Sequence, residues 1–391
     1  MKRLELGLVL MFGLILIGGG VGYRWHQHNQ VVAAEQKKQA VAKQAKRKAE
    51  QQRKIAEKIN ADPFNKTRST NQQITHILKL SHFVGTALVV KNNHVVYQKG
   101  FGYSDAATKV KNGPQSKYQI LSIQKSLTAA AIMQLVQAKK IKLSDKLSKY
   151  YPSISHGHEI TLRMMLDMAS GLRQTGSSKD ELPEDEVVNE AVTHIGFTPA
   201  KYNVFHYSSV NFLLLAGIIR QQTGQSYQSY FEKHFIKKLG LNGSGFVTDG
   251  LGKHATLGYS ASETQILPDY TKPVDETKAQ MANELGTGQV YMTAGDLFKV
   301  ESGILKGKLM TKANVAILHT PSATGTYGGG VYNEQPAVIR SHGVGYGYES
   351  ALKLSTDGKN GVVLLSNCNR QAVTIQTATA KIFEELMLQT N

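Results

Sequence analysis

The chain has 391 residues, with 46 Lys and Arg against 29 Asp and Glu, a formal charge of +17. That length holds one large domain or two ordinary ones, and 41% hydrophobic residues supply a substantial core. Cys368 is the single cysteine, which excludes an intramolecular disulfide and a cysteine-based metal cluster and favours serine over a thiol as any nucleophile.

Residues 1–5 are short and basic enough for a cytoplasmic tail. Leu6 to Tyr23 is an uncharged run long enough to cross the hydrocarbon core of a bilayer. A cleaved leader would need its small-residue site near Val32-Ala33-Ala34, well past the apolar run, so an uncleaved transmembrane anchor is expected over residues 6–23. Lys2 and Arg3 favour a cytoplasmic N-terminus, whereas Lys37, Lys38 and Lys43 pull the other way, so charge alone leaves the orientation open. Residues 24–62 form a basic stalk rich in Ala, Gln and Lys, with nine Lys or Arg against three Glu between Glu35 and Lys58. Such a segment is a solvated helix or a flexible spacer, and its charge suits anionic lipid or a phosphate-rich wall polymer. No nucleic-acid module accompanies it, and an anchor argues against a nucleic-acid partner.

From residue 63 to 391 the composition is that of a folded domain. "NQQITHILKL" suits a helix, and "FVGTALVVKNNHVVYQKGFGYSD" a hairpin about the Asn92-Asn93 turn. "QILSIQKSLTAAAIMQLV" carries apolar residues at helical spacing, and "ITLRMMLDMASGL" reads as a helical stretch ended by Gly171. Further helices fit Phe212–Thr223 and Tyr227–Lys238. Strands fit Gly347–Leu354 and Gly361–Asn367, before a terminal helix from about Val373 to Leu388. Strands at both ends with helices between them predict one sheet completed by the two ends of the domain, with a helical region inserted.

Ser122 and Lys125 stand at the head of the helix that continues to Val136. Positions i and i+3 share a helix face, so hydroxyl and amine meet side by side, as in an activated nucleophile. The bland alternative is an N-cap serine and a snorkelling lysine. A second copy, Ser350-Ala351-Leu352-Lys353, lies in a strand-like stretch, where i and i+3 point to opposite faces, and is set aside. His156-Gly157-His158 lacks the further ligands a zinc hydrolase needs, so no metal and no cofactor are expected.

Five segments in order resemble one family: "YQILSIQKSLTAAAIMQLVQAKKIKLSDKLSKYYP", "ITLRMMLDMASGL", "FHYSSVNFLLLAGII", "LGTGQVYMTAGDLFKVESGILKGKL" and "SHGVGYGYESALKL" with "GVVLLSN". They resemble the penicillin-binding-protein-like serine hydrolases, which include class C β-lactamases, DD-carboxypeptidases and related esterases. The resemblance covers roughly residues 75–388. It implies a β-lactamase/transpeptidase-like α/β fold: an antiparallel sheet flanked by helices, with an inserted helical subdomain. It also implies that Ser122 is acylated while Lys125 helps take its proton. The oxyanion would fall to the Ser122 amide and a late-strand amide near Gly345.

The family's second motif is Tyr-x-Asn; here Tyr207-Ser208-Ser209 keeps the tyrosine as a base or relay and puts serine in the asparagine's place. Asn211 is a candidate substitute that better fits the start of the next helix. In the third motif, His342-Gly343-Val344 replaces lysine, a small residue and glycine, and Val344 is expected to crowd the strand. Histidine there resembles the esterase-like members and holds a carboxylate less firmly than lysine. Both departures weaken the reading for β-lactams and terminal D-Ala carboxylates and leave a D-alanyl ester, as in the branch acting on teichoic acids. Asp180, Glu181, Glu184, Asp185 and Glu186 either attract the ammonium of such an ester or occupy the first turn of a helix opened by Pro183.

The sequence thus predicts a membrane-anchored, extracytoplasmic serine hydrolase removing D-alanine from teichoic acid. A DD-carboxypeptidase acting on peptidoglycan is the enzyme alternative. A non-catalytic binder of wall polymer is the alternative of another class.

Overall fold

The computed structural model describes residues 28–30, 32–51, 53–54, 62–320, 325–334 and 336–388, which form two compact units divided between Asp62 and Pro63. In the first unit residues 32–51 are helical, and the side chains described along them are exposed. Alanine, glutamine and lysine favour a helix while offering no apolar face, which leaves it solvated. Among the described residues no helix is long and apolar enough to cross a membrane. The run expected to do so, residues 6–23, lies outside them.

The second unit is built on a seven-stranded antiparallel sheet. Its strands are β1 (Gly85–Lys91), β2 (His94–Phe101), β3 (Tyr327–Gly328), β4 (Val331–Glu334), β5 (Val338–Gly345), β6 (Tyr348–Ser355) and β7 (Gly361–Ser366), in the order β3-β4-β5-β6-β7-β1-β2. The β1–β7 ladder therefore joins the two ends of the domain. Asn92 and Asn93, with φ of 50° and 68°, supply the left-handed pair that a two-residue hairpin turn needs between β1 and β2.

Alternation along the strands splits the core. Ala87, Val89, Tyr97, Ala351, Val362 and Leu364 face helices α1 (Gln72–Leu80) and, near the C-terminus, Ile375–Leu388. Leu88, Val90, Leu352, Leu354, Val363 and Leu365 face the insertion between β2 and β3. That insertion carries α2 (Gln124–Gln137), α3 (Glu184–Thr193), α4 (Val210–Thr223) and α5 (Ala294–Leu305), so the terminal helix is α6. Helices on both faces explain why β7 is buried at every position, with no polar face.

One predicted helix is cut short. The segment from Thr161 is helical only over Leu162–Leu166, and Ser170–Gln174 is instead a strand paired with Ile195–Tyr202. Met168 and Gly171, at φ of 55° and 76°, break the helix, and Arg163 clamps the buried Asp167 carboxylate at its end. Ser350 and Lys353 diverge as the strand reading requires. Ser350 Oγ donates to the Ile120 carbonyl at 2.8 Å, while Lys353 Nζ pairs with Glu334 at 3.0 Å.

Candidate active site

Helix α2 starts from a strained turn. Leu121, wholly inside the core, holds a φ of 53°, a region crowded for any residue with a branched side chain. The one-turn 3₁₀ segment Leu121–Ile123 then delivers Ser122, half-buried, to the floor of a cavity of about 330 Å³. Beyond it α2 is buried almost all round, so its polar residues find fixed partners. Gln124 accepts from the Val290 amide, Thr128 donates to the Gly286 carbonyl, and Ser126 donates to Glu301.

Lys125 is fully buried among these residues. Its Nζ lies 2.9 Å from Ser122 Oγ and 3.4 Å from the Thr287 carbonyl, and 5.2 Å from the centre of the Tyr207 ring. Both sequence alternatives fail in detail. Ser122 is not an N-cap with a side-chain hydrogen bond, and the lysine reaches no solvent. That geometry lets a free-amine Lys125 accept a proton from Ser122, and lets an ammonium donate to the same oxygen while facing the electron-rich ring of Tyr207.

Tyr207 lines the same cavity, 39% exposed, its ring edge-on to Tyr327 with centroids 6.0 Å apart. Ser209 does not line it: it sits half-buried at the head of α4, where its carbonyl accepts from the Phe212 amide. Asn211 lies inside α4, buried, accepting from Ser170 Oγ at 2.6 Å and donating to the Ser208 carbonyl. It is core structure and does not replace the missing asparagine.

Strand β5 closes the cavity opposite Ser122. A Cβ on Gly343 would stand 2.5 Å from the Ile120 carbonyl oxygen and 2.9 Å from the Ser122 amide nitrogen, so only glycine lets the strand approach the nucleophile. The crowding expected of Val344 does not arise, because that side chain points outward and is 51% exposed at the cavity wall. Gly345 follows beside the Leu121 side chain. His342 also lines the cavity, with Nε2 3.0 Å from Glu349 Oε1. Glu349 is 3% exposed and accepts in addition from Thr374 Oγ1 and the Ile375 amide, which ties His342 to the N-terminus of α6.

Sequence reasoning missed Glu349, a single acid in a strand of otherwise buried residues, which was the available signal. It also missed Gly330, whose Cβ would meet the Ser126 amide at 2.4 Å, and Arg340. Arg340 lines the cavity with its guanidinium 4.1 Å from the Tyr332 ring centre and 2.6 Å from Glu334.

Three acids of the stretch at 180–186 have structural partners. Glu184, Asp185 and Glu186 open α3 after Pro183, and Glu184 accepts from the Tyr227 and Gln228 amides at 2.7 and 3.1 Å. Asp185 and Glu181 meet Arg220 and Lys278. His156 stacks on Phe197 and bonds Glu159 at 2.9 Å.

A sequence profile of the family described as Beta-lactamase matches residues 71–385. The chain is 29% identical over 366 residues to the Bacillus subtilis (strain 168) protein PbpX, named as a penicillin-binding protein, covering 93% of this chain and 90% of that one. It is 31% identical over 258 residues to a teichoic acid D-alanine hydrolase of Staphylococcus aureus (strain MRSA252), covering 66% of this chain and 63% of that one. The crystal structure of FmtA from Staphylococcus aureus superimposes with a TM-score of 0.73 at 25% identity, over 87% of this chain and 95% of the other.

Proposed function

Because the chain belongs to the Beta-lactamase family, we propose that it is a serine hydrolase that forms an acyl-enzyme on Ser122 and removes D-alanine from esters of teichoic acid. The observation that carries the reading is the 2.9 Å contact between buried Lys125 and Ser122. Lys125 as free amine takes the serine proton, and Ser122 Oγ attacks the ester carbonyl. The oxyanion falls between the Ser122 amide and the β5 backbone at Gly345. The ammonium so formed rests against the Tyr207 ring, and the proton passes to the leaving alcohol, with Tyr207 as relay. Water then repeats the sequence on the acyl-enzyme.

Two features favour an ester. Ser209 leaves no amide to hold a peptide, and His342 stands where a lysine would hold a carboxylate. An alkoxide also leaves with less help than an amine. Arg340 offers a cation on this side of the cavity to a phosphate of the polymer, or equally to the carboxylate of a peptide ending in D-alanine. That keeps the carboxypeptidase as second reading. We place the domain outside the cytoplasmic membrane, held by residues 6–23 as anchor and 24–62 as stalk, on the sequence of those segments.

The test is free D-alanine released from D-alanylated teichoic acid and, separately, from a pentapeptide ending in D-Ala-D-Ala, with Ser122→Ala beside each. Release from the teichoic acid alone, abolished in the variant, supports the esterase. Release from the peptide moves the protein to the carboxypeptidases, and release from neither favours a non-catalytic binder.

A further inference from the structure

Two carboxylates near the nucleophile take no part in the acylation chemistry above. Glu284 is three short contacts from Ser122. Ser122 Oγ lies 2.9 Å from Lys125 Nζ, which lies 3.4 Å from the Thr287 carbonyl; Thr287 Oγ1 then donates to Glu284 Oε2 at 2.8 Å. The Tyr346 hydroxyl donates to Glu284 Oε1 at 3.3 Å. Glu284, Tyr346, Gln280 and Asn283 line a second cavity of about 760 Å³, separate from the one holding His342 and Arg340. Tyr346 follows β5 by one residue, so the two cavities flank the C-terminal end of that strand, Val344 lining the one that holds Ser122 and Tyr346 the other.

Glu276 backs this wall. Burial, together with the charge of Glu284, pushes its carboxyl up to about 7 even though Gln119 donates to it. Gln119 is 1% exposed; its Nε2 bonds Glu276 Oε1 at 3.3 Å and the Gly288 carbonyl at 2.9 Å. Its Oε1 is buried without a partner among the described residues. Two carboxylates and an unused amide oxygen thus gather with no cationic partner among the described residues. A buried acceptor such as the Gln119 oxygen is costly unless a donor reaches it.

We propose that Glu284, backed by Glu276 and the Gln119 carbonyl, binds the ammonium of the acyl group carried on Ser122, so that the site selects α-aminoacyl esters over plain carboxylic esters. The inference rests on the acyl-ester reading above. An α-ammonium lies about 2.5 Å from its own carbonyl carbon, so an acyl group on Ser122 that turns past the end of β5 carries it toward the second cavity. Glu181, Glu184 and Asp185 of the acidic stretch already hold Lys278, two backbone amides and Arg220, which favours this pair as the ammonium partner.

The full chain is assayed on a D-alanyl ester and a propionyl ester of the same alcohol, and D-alaninamide binding to Ser122→Ala is measured by calorimetry, each with and without Glu284→Gln. The expected result is a wild-type preference for the D-alanyl ester that Glu284→Gln cuts by about ten-fold or more, with D-alaninamide affinity falling alike. Equal turnover of both esters by the wild type, or a loss shared equally by both in the variant, overturns the subsite and leaves the hydrolase standing. Turnover of neither ester, with D-alaninamide binding that still depends on Glu284, overturns the hydrolase and leaves the subsite. Neither turnover nor binding overturns both. Glu276→Gln, which breaks no bond to Thr287 or Tyr346, must lower the same preference; a full preference there overturns the proposal should Glu284→Gln fail to fold.

Discussion

His342 and Glu349 are joined across the β5–β6 ladder, Nε2 to Oε1 at 3.0 Å, and the same carboxylate receives Thr374 Oγ1 and the Ile375 amide at the start of α6. One buried acid therefore holds a cavity side chain and a helix terminus together. Glu349→Ala strands all three donors, one of them, the Ile375 amide, away from water. The expected cost is about 2–4 kcal/mol in urea unfolding, together with a fall in kcat because His342 loses its fixed orientation. Glu349→Gln keeps an acceptor for the helix, so it recovers most of the stability while leaving activity reduced. Equal behaviour of the two variants in both measurements would show that Glu349 serves only the fold.

Gly343 sets how near β5 comes to the nucleophile. In Gly343→Ala the added Cβ meets the Ile120 carbonyl at 2.5 Å and the Ser122 amide at 2.9 Å, both backbone and neither free to swing aside. The strand must move, at a cost of about 1–3 kcal/mol, and the oxyanion amides move with it. Turnover should drop by about a hundred-fold or more, with KM changed far less, since the loss falls on the transition state. Val344→Ala is the control: its side chain is half exposed, and the substitution should leave the thermal midpoint in place.

Much of this was legible in the sequence because it rests on local periodicity. The hairpin about Asn92-Asn93, the buried helix behind Ser122 and the terminal helix all follow from spacing and turn residues. The i, i+3 rule placed Lys125 beside Ser122 and rejected Ser350 with Lys353 for the same geometric reason. What spacing could not give were contacts between distant segments. Glu349 meets Thr374 and Glu284 meets Tyr346 only after the sheet closes, and no local pattern announces either. The segment after Leu166 misled because its apolar residues keep a helical period, while Met168 and Gly171 need left-handed backbone. Val344 misled in the opposite sense. The close approach belongs to Gly343, its neighbour in the strand, and a one-residue shift in a strand reverses the face.

Lys125 is fully buried and, among the described residues, has no carboxylate partner; its Nζ lies beside Ser122, the Thr287 carbonyl and the Tyr207 ring. Lys125→Ala removes the base and leaves Ser122 in place. Labelling by a fluorophosphonate should then slow by at least about a thousand-fold, as in Ser122→Ala, where no label can attach. Tyr207→Phe separates the roles of the tyrosine. It keeps the ring that faces the ammonium and removes the hydroxyl, so labelling should persist while ester turnover falls. Unchanged turnover would remove Tyr207 from the proton path.

Glu301 gives the domain a pH dependence opposite to that of a paired carboxylate. It is fully buried in α5 beneath α2, and burial lifts its carboxyl to about 8, although Ser126 Oγ donates to Oε2 at 2.9 Å; among the described residues Oε1 has no partner. Raised above the unfolded value of 4.5, the folded state holds a proton that the unfolded chain has released. Its contribution to stability is therefore whole below about 4.5 and is lost as pH rises toward and past 8, on the order of 5 kcal/mol in all. Glu301→Gln keeps an acceptor for Ser126 and cannot ionise. Urea unfolding of the wild type should weaken between pH 5 and pH 8 relative to the variant, in which the slope from this group is gone. Parallel curves over that range would mean that Glu301 stays ionised in the folded protein.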